Sequence, residues 1–180
     1  MRIPIIVCAA FLAGSCAGPP GEQPVERAEA SPPEGIASMF HGSWSLVSWT
    51  DTNEDGETFS PYGDDPFGRI VYAPSGNMAV VLMGQGREID SEIGSRGGAF
   101  GELNPDEMRT VLTRFFAYSG SFTVDEEAGT VTHHIEAALA PNWVGGDRVR
   151  KFEMVNDDRI VLRPEEGTSQ LTWQRESRED

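Results

Sequence analysis

Two adjacent histidines in a strand-like pattern carry the most evident chemistry of this chain. They lie in the run 132–136 (THHIE), and the side chains of a β-strand alternate between its two faces. His133 therefore shares a face with apolar residues, and His134 shares the opposite face with polar ones. Val131, Ile135 and Leu139 accompany His133, whereas Thr132 and Glu136 accompany His134. Neighbouring strand residues cannot easily reach one ion, so the pattern predicts a pocket wall rather than a metal site.

A corner after this strand adds an amide and an indole. Asn142 and Trp143 follow Pro141, and we interpret them as a pocket rim with one polar contact and one stacking surface. The alternative is turn chemistry with a packed indole. Aromatic residues before the histidine strand are equally compatible with a solid core and with a lined cavity. The predicted ligand-binding residues are His133, Asn142, Trp143, Tyr118, Phe122, Phe115 and Arg150.

His133 itself allows two further interpretations. A buried neutral imidazole needs a hydrogen-bond partner, which a neighbouring strand can supply. Alternatively, it moves a proton as the general acid or base of an isomerase, cyclase or hydratase. The sequence shows no nucleophile triad, paired-carboxylate site or metal-ligand cluster, and its 3 histidines do not make a zinc site. Gly84-Gln85-Gly86 lacks the ending of a phosphate loop. We predict neither a metal nor a cofactor.

One helix is predicted before the histidine segment. Asn104 is placed as its N-cap, Pro105 at the first helical position and Glu107 at the third, and Gly120 is expected to end it. Its apolar stripe consists of Met108, Val111, Leu112, Phe115 and Phe116. We expect this helix to close one end of a barrel, with its aromatic side chains in the pocket wall.

Short apolar-rich segments divided by turn residues make up the rest of residues 36–180, a pattern typical of antiparallel β proteins. The predicted strands span 42–50, 57–60, 67–73, 77–83, 119–125, 130–139, 148–155, 159–163 and 169–175. A closed barrel of about eight or nine strands can hold one small ligand. The stretch 84–103, rich in glycine, is predicted to be a lid or a mobile loop.

The start of the chain has the pattern of an export signal. Residues 1–15 join a positive start to an apolar stretch too short to span a bilayer, and Cys16 follows small residues as in a bacterial lipobox. We expect Cys16 to be lipidated, the alternative being an ordinary secretory signal. Residues 16–35, rich in proline and glutamate, are predicted to form a tether, and 36–180 one domain. The expected location is extracytoplasmic and membrane-anchored, at the periplasmic face or the outer membrane of a Gram-negative cell.

The formal charge of −15 limits the partners. A polyanion repels nucleic acid, which is therefore not an expected partner. Arg148, Arg150 and Lys151 form a basic concentration in this acidic chain. We favour pairing with local carboxylates; the alternative is that they draw the carboxylate of a ligand to the pocket mouth.

Four blocks of the domain resemble the lipocalin-like domain family of bacterial and fungal proteins. They are 42–49 (GSWSLVSW), 65–83, 118–145 and 171–175 (LTWQR). Gly42-Ser43-Trp44 is similar to the Gly-x-Trp start of lipocalins. The resemblance implies a calycin-type β-barrel and a small hydrophobic ligand, and it carries over no catalytic residues. It also implies that a late arginine, here Arg175, covers Trp44 through a cation–π contact. The chain departs from lipocalins proper in lacking a Thr-Asp-Tyr signature and in placing its helix mid-chain.

The sequence therefore predicts a mainly β fold, a single antiparallel lipocalin-like barrel with one mid-chain helix. The leading hypothesis is a lipid-anchored module that binds a small hydrophobic or amphipathic ligand in the barrel cavity. An enzyme that uses His133 in the same cavity is the first alternative. A structural envelope protein is the second.

Overall fold

The computed structural model describes residues 35–91 and 97–177, with the backbone alone for 97–99. These ranges contain nine β-strands: β1 Gly42–Thr52, β2 Thr58–Phe59, β3 Phe67–Tyr72, β4 Asn77–Met83, β5 Phe115–Asp125, β6 Thr130–Ala138, β7 Asp147–Asn156, β8 Arg159–Pro164 and β9 Gln170–Arg175. They also contain two α-helices, α1 Ile36–Phe40 and α2 Pro105–Leu112. Short 3₁₀ turns lie at Gly97–Glu102 and Pro141–Trp143.

The strands form a closed antiparallel barrel. Eight of them, β1 and β3 to β9, pair in the order β1-β3-β4-β5-β6-β7-β8-β9, and β9 pairs back onto β1. The extra strand β2 pairs only with the far end of β1, where Asp51 lies opposite Phe59. The predicted mainly β barrel is confirmed, because closure leaves the eight strands without a free edge among themselves.

Alternation along the strands builds the barrel interior. In β3 every second residue is buried, ending with Ile70 and Tyr72, and in β4 Met78, Val80 and Leu82 are buried. On β6 the buried residues are Val131, His133 and Ile135, whereas His134 is partly exposed. The predicted division of the two histidines between faces is therefore confirmed.

Two β-bulges interrupt this alternation. Between Leu46 and Ser48 the register of β1 against β9 shifts by one residue, so that Trp49 joins Trp44 on the inner side. On β6 the pairing shifts near Glu136, because Ile135 lies opposite Gly120 but Ala138 lies opposite Tyr118. The expectation that Leu139 shares the face of His133 is consequently wrong. It lies beyond the strand and is 38% exposed.

The helix α2 begins as predicted and ends earlier. The side chain of Asn104 accepts hydrogen bonds from the backbone N–H groups of Asp106 and Glu107, and the Glu107 carboxylate accepts one from the Asn104 N–H. The helix ends at Leu112, and Arg114 takes a φ of 55°. The segment from Phe115 onward then pairs with β4.

Two expectations about this helix are therefore wrong. Phe115 and Phe116 belong to β5, where aromatic side chains fit a pleated, half-buried surface and pair with Met83 and Leu82. Gly120 lies inside β5, where a Cβ atom would come within 1.8 Å of the His134 carbonyl oxygen, so the glycine permits the close backbone approach at the bulge.

A helix closes one end of the barrel, but it is α1 rather than the predicted α2. Phe40 of α1 is fully buried, with its ring in edge contact with Tyr72 at 5.3 Å and Phe152 at 5.1 Å. The backbone carbonyl of Phe40 accepts a 2.8 Å hydrogen bond from Nε1 of Trp44. In contrast, α2 buries no side chain and leaves Leu112 48% exposed.

The segment that precedes α2 packs against it. Arg87 donates a hydrogen bond to the carbonyl of Val111 and lies 4.8 Å from the ring centre of Phe115. The Ser91 hydroxyl donates to Glu107 at 2.6 Å. These contacts fix the described part of the 84–103 loop beside the barrel; its role as a lid stays a prediction.

No helix in the described ranges is both long enough and apolar enough to cross a membrane. The predicted signal peptide, the lipidation site Cys16 and nearly all of the tether lie outside the described residues.

Candidate functional site

The barrel interior holds a cavity of about 160 Å³ on the side of the barrel away from α1. Its wall is mainly apolar and aromatic, with a small polar group of side chains. The apolar and aromatic lining residues are Trp49, Ile70, Val80, Leu82, Phe116, Trp143, Leu162, Pro164, Leu171 and Trp173. The polar lining residues are Tyr118, His133, Arg150 and Ser169.

A buried chain of three polar side chains crosses the barrel beside this cavity. The Tyr72 hydroxyl lies 2.8 Å from Nε2 of His133, and the Tyr118 hydroxyl lies 2.9 Å from Nδ1 of the same ring. His133 is 1% exposed, Tyr72 is 1% exposed and Tyr118 is 8% exposed. The prediction that a buried His133 needs a partner is met on both of its nitrogens.

The hydrogen-bond directions in this chain follow from burial. A neutral imidazole has one N–H group and one bare nitrogen, so one tyrosine donates to it and the other accepts from it. Among the described residues, the Tyr72 hydroxyl has no acceptor other than His133. A buried hydroxyl without an acceptor is costly, and Tyr118 lines the cavity whereas Tyr72 does not. We therefore assign Tyr72 as the donor to Nε2 and Nδ1–H as the donor to Tyr118. The hydroxyl hydrogen of Tyr118 is then free to face the cavity.

Burial sets the protonation states of this chain. Burial, together with the positive charge of Arg150, lowers the pKa of His133 to about 3. Burial likewise raises the pKa of both Tyr72 and Tyr118, which the charge of Arg150 partly opposes. At neutral pH the imidazole and both phenols are therefore uncharged.

Arg150 brings the positive charge to the wall. It occupies β7 with the same parity as Phe152, which packs against the core, so its side chain projects inward. Its Nη1 donates to the carbonyl of Val149 at 3.0 Å. Among the described residues, no carboxylate lies within ion-pair distance of its guanidinium. The expected pairing with local carboxylates is therefore wrong for Arg150, because its strand position directs it away from the acidic surface.

Two tryptophans contribute unpaired donors. Nε1 of Trp49 and Nε1 of Trp173 are buried and have no hydrogen-bond partner within the described part of the chain. Both residues line the cavity. Buried polar groups of proteins are nearly always paired, so these indoles are notable exceptions.

Trp143 lines the cavity beside two other aromatic residues. Its ring centre lies 4.6 Å from that of Phe116 and 5.7 Å from that of Tyr118. Arg148 lies on β7, the strand of Arg150, and its guanidinium carbon is 4.1 Å from the ring centre of Trp143. The indole is thus held between an aromatic residue and a cation.

Residues 41–179 match the family model described as a lipocalin-like domain. The chain belongs to the lipocalin-like domain family. A curated relative, the 4'-hydroxy-3'-methoxypropiophenone carrier protein of Aspergillus oryzae, is 30% identical over 83 residues, or 39% of this chain and 75% of the relative.

Solved structures of similar shape include a lipocalin-like protein from Bacteroides uniformis. It is 11% identical, with a TM-score of 0.42 over 77% of this chain and 99% of that chain. A redesigned β-barrel is 18% identical, with a TM-score of 0.38 over 79% of this chain and 96% of its own.

In this lipocalin-like domain, four of the seven predicted ligand-binding residues line one cavity. These four are His133, Tyr118, Trp143 and Arg150. Asn142 is exposed, and it is absent from the lining. Phe122 packs 4.8 Å from Tyr72 in the core, and Phe115 contacts Arg87 on the outer side.

Sequence reasoning missed Tyr72, which lies beside the cavity of the lipocalin-like domain, and the lining residues Trp49 and Trp173. Tyr72 has a usable signal, because it ends the alternation of Gly68 and Ile70 in β3. Trp173 follows Leu171 with the same spacing in β9. Trp49 carries no such signal, since simple alternation from Trp44 points it outward and only the bulge brings it in.

No group of three or more His, Cys, Asp or Glu side chains in the described ranges is placed to hold a metal ion. His134 points outward, with Nδ1 2.8 Å from an Asp147 carboxylate oxygen and Nε2 3.0 Å from the Thr123 hydroxyl.

Proposed function

We propose that this domain is a carrier that holds one small, ring-sized hydrophobic molecule inside its barrel. The observation that carries this proposal is the cavity of about 160 Å³ with a mainly apolar wall that includes the aromatic rings of Trp49, Phe116, Tyr118, Trp143 and Trp173. An apolar protein cavity of about 150 Å³ is large enough to bind benzene. A long acyl chain would not fit, so the expected ligand is shorter than that of a fatty-acid carrier.

The relative from Aspergillus oryzae supports the same size class. Its name describes a carrier of a single-ring aromatic ketone, 4'-hydroxy-3'-methoxypropiophenone. A ketone of that kind presents one apolar ring and an acceptor oxygen, which matches an aromatic wall with a few polar groups.

The test is calorimetric titration of residues 36–180 with propiophenone and, separately, with palmitate. We expect propiophenone to bind with a Kd on the order of tens of micromolar, from its size and typical binding energy per atom. Palmitate is expected not to bind. Tight palmitate binding with no propiophenone binding would contradict the proposed size class.

A matched pair of variants places the ligand. Leu171 lines the cavity, whereas Leu112 lies exposed on α2 beside an outer apolar groove. Leu171→Trp fills cavity volume and should abolish propiophenone binding, and Leu112→Trp adds the same group outside and should leave it unchanged. If only the Leu112→Trp protein lost propiophenone binding, the ligand would be bound in the outer groove and not in the barrel cavity.

We also propose that the chain is a lipoprotein anchored through Cys16 on the extracytoplasmic side of a membrane. The support is the short apolar stretch that ends in Leu12-Ala13-Gly14-Ser15-Cys16. One buried acyl chain anchors weakly, and two or three anchor durably.

The full chain, expressed in a Gram-negative host with an alkyne-tagged fatty acid, tests this. The wild-type protein and the control Cys8→Ala should be labelled and should sediment with membranes. The Cys16→Ala protein should not be labelled and should not sediment with membranes. Label retained on the Cys16→Ala protein would exclude this anchor.

A further inference from the structure

Most of the polar groups on the cavity wall are hydrogen-bond donors. Tyr118 presents its free hydroxyl hydrogen, because its oxygen already accepts from Nδ1–H of His133. Trp49 and Trp173 also line the cavity, and their Nε1–H groups, which have almost no accessible surface, have no acceptor among the described residues. Arg150 adds a guanidinium, which donates from Nη1 to the Val149 carbonyl at 3.0 Å and also interacts with the Tyr118 hydroxyl, whose pKa it lowers.

The lining side chains offer few acceptors for these donors, chiefly the Ser169 hydroxyl oxygen. His133 has no nitrogen left, since both are occupied by tyrosines. The hydroxyl of Ser169, the remaining polar lining residue, donates to the Asp51 carboxylate at 2.6 Å. An occupant of the cavity must therefore bring the acceptors itself, because an unmade hydrogen bond of a buried donor costs more than a typical bond contributes.

The charge of Arg150 further limits the chemical class of ligand that the cavity can bind. A buried or half-buried cation is normally paired, and no carboxylate of the described chain pairs with this one. A ketone oxygen offers two lone pairs and no charge, whereas a carboxylate offers about four acceptor sites and the missing negative charge. Arg148, which lies over the ring of the lining residue Trp143, adds a second positive charge beside the cavity.

We propose that the ligand of this cavity is a compact aromatic carboxylate whose carboxylate group pairs with Arg150. The ring lies among the aromatic side chains of the wall, and the carboxylate accepts from Arg150 and from the free donors beside it. This inference rests on the proposed carrier function and specifies its ligand class.

The experiment compares three probes of similar size by calorimetry: 3-phenylpropanoate, 3-phenylpropanamide and propiophenone. On wild-type domain we expect the carboxylate to bind at least about tenfold more tightly than the amide, because charge-assisted hydrogen bonds are roughly twice as strong as neutral ones. Equal affinities would overturn the assignment of a carboxylate.

Variants of neighbouring residues assign the charge to one side chain. Arg150→Gln should lower the affinity for 3-phenylpropanoate at least about tenfold and change that for the amide less than about twofold. Lys151→Gln is the matched control, since it removes the same charge one residue away from an exposed position. Arg150→Lys should restore part of the lost affinity.

The outcomes separate this inference from the carrier proposal. If propiophenone binds and 3-phenylpropanoate gains nothing over its amide, the carrier stands and the anionic ligand class falls. If none of the three probes binds, both fall. Equal losses in the Arg150→Gln and Lys151→Gln proteins would show a general charge effect and overturn the role of Arg150.

Discussion

The hydroxyl of Tyr72 donates to Nε2 of His133 across the barrel interior, over 2.8 Å. Tyr72 ends β3 and His133 lies in the middle of β6, and these strands are not neighbours in the sheet. The bond is therefore a polar link between two walls of the barrel. His133 lines the cavity, whereas Tyr72 does not. The bond from Tyr72 therefore acts on the cavity indirectly, by setting the orientation of the imidazole ring that is hydrogen-bonded to Tyr118.

Tyr72→Phe is expected to destabilise the domain by about 1–3 kcal/mol, because it leaves the bare nitrogen of His133 buried without a donor. Tyr62→Phe is the control, since burial and nearby charges but no hydrogen bond within the described residues act on the Tyr62 hydroxyl. Urea unfolding of both proteins measures the difference. A free energy of unfolding equal to that of wild type in the Tyr72→Phe protein would contradict this link.

Acid is expected to destabilise the domain through His133. Its folded pKa is about 3, whereas that of an unfolded histidine is about 6.5, so the unfolded chain binds the proton first as the pH falls. Stability is unaffected by this group above about pH 6.5 and falls by up to about 1.4 kcal/mol per pH unit below it. The expected loss between pH 7 and pH 5 is about 2 kcal/mol.

His133→Gln removes the titrating group and should reduce the pH dependence of unfolding in that interval by the same amount. Carboxylates act in a lower range: hydrogen bonds from Ser43 and Ser45 lower the pKa of Glu176 to about 2, and the stability it adds is lost only below about pH 4.5. Identical slopes in wild type and the His133→Gln protein between pH 7 and pH 5 would contradict the assignment.

The barrel and the inward histidine could be predicted because both depend on a local period. A few neighbouring residues are enough to predict the strand boundaries, the Asn104 cap and the burial of His133. The run from Met108 to Phe116 is different, since its apolar spacing fits a helix throughout. The end of this run, from Phe115, forms a strand because Phe116 pairs with Leu82, a residue more than thirty positions away in the sequence.

The parts of the site that escaped prediction depend on bulges. A bulge is defined by two strands together, so one strand read alone cannot reveal it. The bulge at Val47 brings Trp49 inward, and the one near Glu136 excludes Leu139. The free donors of the cavity are equally non-local, because they depend on which partners are missing in space.

Gly120→Ala tests the strand assignment of β5. A Cβ atom at this position would lie 1.8 Å from the backbone carbonyl oxygen of His134, so either β5 or β6 must shift. We expect a loss of stability of about 3 kcal/mol or more, at the severe end of single substitutions. Gly101→Ala is the control, since no atom lies within 4 Å of the added carbon. A neutral Gly120→Ala substitution in thermal unfolding would contradict the close approach.

Arg175 attaches α1 to the base of the barrel. Its guanidinium carbon lies 4.1 Å from the ring centre of Trp44, which confirms the contact implied by the family resemblance. The same group donates to the carbonyl of His41 at 2.6 Å and to that of Met39. Arg175 therefore contacts both the strand and the helix that close this end.

Arg175→Ala should destabilise the domain by about 2 kcal/mol, since it removes charge-assisted hydrogen bonds and a partly buried cation–π contact together. Arg163→Ala is the matched control, because Arg163 pairs with Glu153 on the surface and such a pair contributes at most about 1 kcal/mol. Urea unfolding compares the two, and hydrogen exchange of the α1 amides reports whether the helix detaches. Equal destabilisation with unchanged exchange in α1 would mean that Phe40 alone holds the helix in the barrel end.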